Sequence, residues 1–129
     1  MKSFKSFIIE QTISHNQLVE FEKVIDNLFK KFNIDFEFSR HFEERLSHDR
    51  NNPEITLKEL AELVKKIYAK HGNPLKNKIG AEAVIKDIQS NINIPIVVKY
   101  DSKNDEIDVV AKTIMRKKDF KSPDSIIKY

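Results

Sequence analysis

The 129-residue sequence predicts an α+β domain, with helices in the N-terminal two-thirds packed on a small antiparallel sheet that ends in a C-terminal hairpin. Three observations predict it. Apolar residues recur at helical spacing between Leu18 and Phe32, and again between Leu57 and Tyr68. Residues 34–38 alternate strictly between apolar and acidic side chains, the period of a strand with one buried face. Beyond Ile94 the chain becomes β-branched, in two runs separated by a polar turn.

Residues 1–13 read as a flexible leader, 14–120 as a single domain and 121–129 as a tail, with Ser122-Pro123-Asp124 as a turn. A helix over 17–32 can be capped by Ser14 or Asn16, and Ser14 with Gln17 has the spacing of a capping box; Asn33 ends it. After the strand 34–38, Ser39 offers the cap of a short helix over 40–49. Phe42 and Leu46 face its core side, and His41, Arg45 and His48 share the neighbouring stripe. Asn51-Asn52-Pro53 breaks that helix. Thr56 and Glu59 form a second capping box, Ile55 and Leu60 a hydrophobic staple, and the helix that follows buries Leu57, Leu60, Ala61, Val64, Ile67 and Tyr68. Gly72 and Pro74 close it. A basic loop covers 73–78. Residues 81–90 read as a short helix, with a strand over 83–88 as the alternative. Strands over 94–100 and 106–117 form a hairpin about the turn 101–105; the second is apolar on both faces and therefore central.

Composition excludes several chemistries. With no cysteine, there is no disulfide scaffold, thiolate metal site or Cys nucleophile. The two glycines, Gly72 and Gly80, cannot build a Gly-rich phosphate loop. No apolar run approaches the ~18–20 residues of a membrane span, so no membrane partner is expected. Phe7-Ile8-Ile9 is too short for a secretory signal, which makes the cytoplasm the expected compartment. The opening MKSFKSFIIEQ resembles short leaders of tailed-phage proteins, which would place the chain in the host cytoplasm or the virion.

The formal net charge is +3 and unevenly spread. Five lysines and no acid lie between Lys65 and Gly80; six basic residues face two acids between Ala111 and Tyr129. Such a balance favours an anionic partner. The segment from Phe38 to Arg50 carries the chemistry. His41 falls in the first turn of a helix and Arg45 one turn on, so an imidazole able to move protons near neutral pH lies beside a guanidinium able to hold a phosphate. The plainer alternative pairs both with Glu37, Glu43, Glu44 or Asp49. His41, Glu44 and His48 have metal-ligand spacing, but Arg45 intrudes and HExxH is absent; neither metal nor cofactor is expected. Tyr68 and Tyr100 have the chemistry to stack on bases, with core packing the simpler role; His15 and His71 read as structural.

A short strand, a Ser-x-His-x-x-x-Arg helix start, a second Arg, and a late strand with Thr before basic residues form a pattern carried by Ser39, His41, Arg45, Arg50, Thr113, Met115 and Arg116. Over residues 36–120 it resembles the barnase–colicin–RelE superfamily of metal-independent ribonucleases and toxin-like domains. The resemblance implies a helical layer on a curved antiparallel sheet, and cleavage of RNA by its own 2′-OH. It implies His41 as general acid or base, Arg45 as phosphate clamp, Thr113 as hydroxyl donor, and Arg116 or Lys112 as charge stabiliser. Lys112, Arg50, Lys76 and Lys78 are then the candidate contacts to RNA or another anionic polymer. Thr113 and Arg116 lie on opposite faces of an ideal strand, so both reach one phosphate only through a bulge or twist. The alternatives are a non-enzymatic phage structural or host-interaction module with a protein partner, and a nucleic-acid-binding domain without cleavage.

Overall fold

A computed structural model describes residues 13–47 and 51–129. Most of the leader, together with His48, Asp49 and Arg50, lies outside the described residues.

Helix α1, His15–Phe29, begins at the Ser14 capping box and buries Leu18, Ile25 and Phe29. A 3₁₀ turn, Lys30–Phe32, follows, and Asn33 adopts φ 59°, the left-handed conformation that Asn tolerates best after glycine. Strand β1, Ile34–Phe38, buries Ile34 and Phe36 on its helix side. Ser39 then accepts from the Phe42 N–H and caps α2, Arg40–Leu46, whose Phe42 and Leu46 enter the core. Helix α3, Leu57–Ala69, starts from the Thr56–Glu59 capping box and buries Leu60, Leu63 and Ile67. A short α4, Asn73–Lys76, follows Gly72, which has φ 68°. That left-handed backbone angle favours glycine, and a Cβ there would push aside Ile34 Cδ1, 2.4 Å away.

The chain is α+β, as its patterning predicts, but the sheet is mixed rather than purely antiparallel. Its strands are β1, β2 (Glu82–Asp87), β3 (Ile92–Asp101), β4 (Glu106–Ala111), β5 (Met115–Arg116) and β6 (Ser125–Lys128). They run in the order β1-β4-β3-β2-β6, with β5 also pairing β3. β1 pairs β4 in parallel and β2 pairs β6 in parallel, whereas the β3 pairings are antiparallel. α1, α2 and α3 contribute Ile25, Phe29, Phe42, Leu60, Leu63 and Ile67 to one core with Phe36, Ile85, Ile94, Ile96 and Val109.

Three local expectations are corrected. Residues 82–87 form a strand, not a helix: Ala83, Val84 and Ile85 are all buried, because β2 lies between two neighbours and both its faces are covered. The tail supplies β6, whose Ile127 enters the core and whose edge position gives β2 a second partner. The long second hairpin strand is broken at residues 112–114. Ile107, Val109 and Ala111 are buried in alternation, and then Ile114 is buried instead of Thr113, so the phase slips by one residue. Pro95 accounts for the place of the break. Its carbonyl accepts the Lys112 N–H at 2.9 Å, and its missing N–H leaves the ladder one bond short on that side, between the β4 and β5 pairings.

Ile127→Ala is expected to cost about 2 kcal/mol or more in chemical denaturation, the range for buried Ile truncations, where a loose tail would show no change.

Candidate functional site

The break between β4 and β5 positions the site. The Ser39 N–H donates to Ala111 O at 3.1 Å and its Oγ donates to Lys112 O at 2.8 Å, tying the start of α2 to the end of β4. At the other end of α2, the buried Asn51 donates to Arg45 O at 2.8 Å and to Leu46 O, while its Oδ1 accepts the Arg116 N–H at 3.0 Å. α2 is thus fixed at both ends to the strands flanking the break. Between them lies a cleft of ≈ 560 Å³ lined by His41, Arg45, Asn51 and the segment from Thr113 to Lys117.

Of the four residues proposed for catalysis, all line this cleft, and the phase slip after Ala111 is what lets Thr113 and Arg116 do so together. Their states differ. His41 is exposed and Arg45 half-buried, and neither forms an ion pair among the described residues. The carboxylates of α2 are engaged elsewhere: Glu43 with His15, and Glu44 with Arg40 at 3.3 Å. Arg116 is consumed by the fold. Its guanidinium donates to both Glu59 oxygens at 2.9 and 2.7 Å and to the carbonyls of Pro53, Glu54 and Ser90. All five N–H donors are used and its side chain is 10% exposed, so none remains for a phosphate. The Arg116 hydrogen bonds, despite some opposing burial, hold Glu59 below the usual carboxylate range.

The other sequence candidates lie apart. Lys112 pairs with Glu82 at 2.6 Å. Lys76 sits over the Phe32 ring, in α4, and Lys78 lies in the turn that follows it; neither lines the cleft. Arg50 is outside the described residues. Sequence reasoning missed Asn51 and Lys117. In sequence Asn51 signals only a helix break, and nothing in its neighbourhood marks it as a bridge to a strand 65 residues away.

A second charged centre, not foreseen, lies on the sheet face away from the helices. The parallel register places Asp35 beside Asp108. Carboxylate oxygens of Asp35, Glu106 and Asp108 come within 4.8 Å of one another, close enough to share a cation. On the free edge of β1, Asp26 accepts the Phe36 N–H at 2.9 Å and Glu22 the Phe38 N–H at 3.2 Å, so α1 covers the strand edge with carboxylates. Burial, then the neighbouring Asp26 and Asp108 charges, push Asp35 up to about 6. Burial also raises Asp26 and Glu22.

The chain matches no protein-family model, no curated protein and no solved structure.

Two outcomes follow. Because folded Asp35 keeps its proton from the ordinary aspartate value of 3.8 up to about 6 while the unfolded chain does not, its contribution to stability is full below 3.8 and lost as pH rises through 6. Asp35→Asn should therefore unfold at higher denaturant than the wild type at pH 8, with the difference vanishing near pH 4. Glu59→Ala strands the Arg116 charge in a largely buried site and should cost about 3–5 kcal/mol in the same measurement.

Proposed function

We propose that the cleft binds the phosphodiester backbone of RNA and that His41 acts there as the proton-transfer group of a metal-independent endoribonuclease. The carrying observation is that His41 and Arg45 line one cleft with Thr113 and Lys117, with no carboxylate among the described lining residues to neutralise them. The cleft is cationic, and a phosphate entering it meets a guanidinium, an ammonium and a hydroxyl. The proton of the ribose 2′-OH passes to His41, the 2′ oxygen bonds to phosphorus, and the bond to the 5′ oxygen breaks. That oxygen leaves with a proton returned from the imidazolium or from water. Arg45 holds the charge that grows on the phosphoryl oxygens. The nucleophile belongs to the substrate, so the protein need supply only position, charge and a base. The resemblance to barnase–colicin–RelE domains agrees with this division of labour, except that Arg116 is withdrawn from it.

A second reading has its own observation. His41 is the sole imidazole among the described lining residues, whereas transesterification moves one proton off the nucleophile and another onto the leaving group. A cleft complete for binding and half-equipped for proton transfer suits an RNA-binding domain without cleavage.

Purified protein incubated with single-stranded RNA in EDTA should give fragments ending in 2′,3′-cyclic phosphate, at a rate that His41→Ala lowers by about 10²-fold or more. Arg45→Ala should weaken binding as well as rate. RNA left intact, yet bound with an affinity that falls with salt and survives His41→Ala, would select the second reading. RNA neither cut nor bound would remove both.

A further inference from the structure

At the other end of β1 from the cleft, aromatic rings and cations are gathered on one surface. Phe32 ends the 3₁₀ turn, Tyr68 and His71 lie at the end of α3, and Lys76 belongs to α4. The Phe32 and Tyr68 centroids are 5.5 Å apart, and the His71 ring stacks on Phe32 at 5.3 Å with an interplanar angle of 29°. Lys31 Nζ lies 5.3 Å from the Phe32 centroid and 4.8 Å from that of Tyr68; Lys76 Nζ lies 5.9 Å from Phe32. His71 and Lys31 are exposed, and the other three are half-buried.

This surface gathers its cations over aromatic rings. Lys23, Lys65, Lys66 and Lys112 each pair with a carboxylate, whereas most of the described lysines have no such partner. Among the described residues Lys31, Lys76 and His71 have none, although two ammonium groups and an imidazole crowd one ring. Neighbouring cations without counter-charge repel one another, and an anion brought between them relieves that. A partner that is only anionic would satisfy the lysines and leave the rings unused. A single-stranded nucleic acid offers both parts: phosphates for the ammonium groups, and flat bases for the imidazole and aromatic faces.

We propose that Phe32, Tyr68 and His71, with Lys31 and Lys76, form a docking platform for single-stranded nucleic acid, separate from the cleft; this rests on the RNA-directed reading above. Phosphate charge and base faces are common to DNA and RNA, so the platform holds single strands of both and takes no part in cleavage. β1 spans ~17 Å between it and the cleft, so one strand can reach both.

The test is fluorescence anisotropy of a labelled oligothymidylate, which the cleft cannot cleave, across a salt series. The full chain should bind it, and K31Q/K76Q should weaken binding about tenfold at low salt and flatten the salt slope by about 1.4, as for two lost phosphate contacts on a single strand. His71→Asn, which tolerates the positive φ of 57° at that position, should weaken binding without changing the slope. Poly-glutamate of equal charge should compete poorly. Binding unchanged in K31Q/K76Q but lost in Arg45→Ala would overturn the platform and leave the cleft reading standing. Equal binding of poly-glutamate would overturn it in favour of an acidic polypeptide. RNA cleavage in EDTA without any oligothymidylate binding would overturn the platform alone, and the absence of both would overturn both.

Discussion

One side chain holds the cleft open. Arg116 sits on the two-residue β5 and reaches Glu59 at the start of α3, the carbonyls of Pro53 and Glu54 before it, and Ser90 O at the turn between β2 and β3. Its backbone N–H takes the Asn51 side chain, which in turn holds the last carbonyls of α2. Five chain segments converge there. β5 pairs β3 at only two residue positions, so the ladder alone would hold it weakly. The guanidinium supplies what the ladder lacks, and burial makes its pairing with Glu59 obligatory, because either charge alone in that site would be unsolvated. Arg116, a candidate charge stabiliser by its sequence pattern, is therefore not free to meet a phosphate. Its function is to place Thr113 and Lys117 opposite His41 and Arg45.

The charges are sorted by face. Carboxylates gather where β1 meets β4 and along the free edge of β1, where Glu22 and Asp26 satisfy strand N–H groups that would otherwise invite another chain. Burial, and then crowding, has an electrostatic cost, visible in the raised proton affinity of Asp35. Among the described residues this sorting also leaves His41 and Arg45 without an acidic partner, their own helix spending Glu43 on His15 and Glu44 on Arg40. The positive cleft arises as much from where the acids are committed as from where the bases lie.

The helices were legible because their signals are local. Ser14, Ser39 and Thr56 cap as their spacing implies, and the apolar stripes of α1 and α3 mark the faces they bury. What escaped was set by pairing at a distance. Residues 82–87 look helical in isolation, since Val84, Ile85 and Ile88 fit either period; two flanking strands decide the matter. The tail has the composition of a loose end, yet Ile126 and Ile127 find β2. At the site, the His41 and Arg45 stripe was readable from helical spacing alone. The bulge that turns Thr113 toward them depends on Pro95 in a different strand, and the withdrawal of Arg116 depends on Glu59, 57 residues away. No window of sequence contains either pair.

The proposed division between structural and phosphate-binding cations is open to direct observation. Side-chain NMR of the arginine Nε–H and histidine ring signals, recorded as a non-cleavable RNA analogue lacking the attacking 2′-OH is added, reads each group separately. The expected result is movement of the His41 and Arg45 signals with Arg116 unmoved. Movement of Arg116 while His41 and Arg45 stay still would contradict the assignment of the cleft and of the residue that builds it.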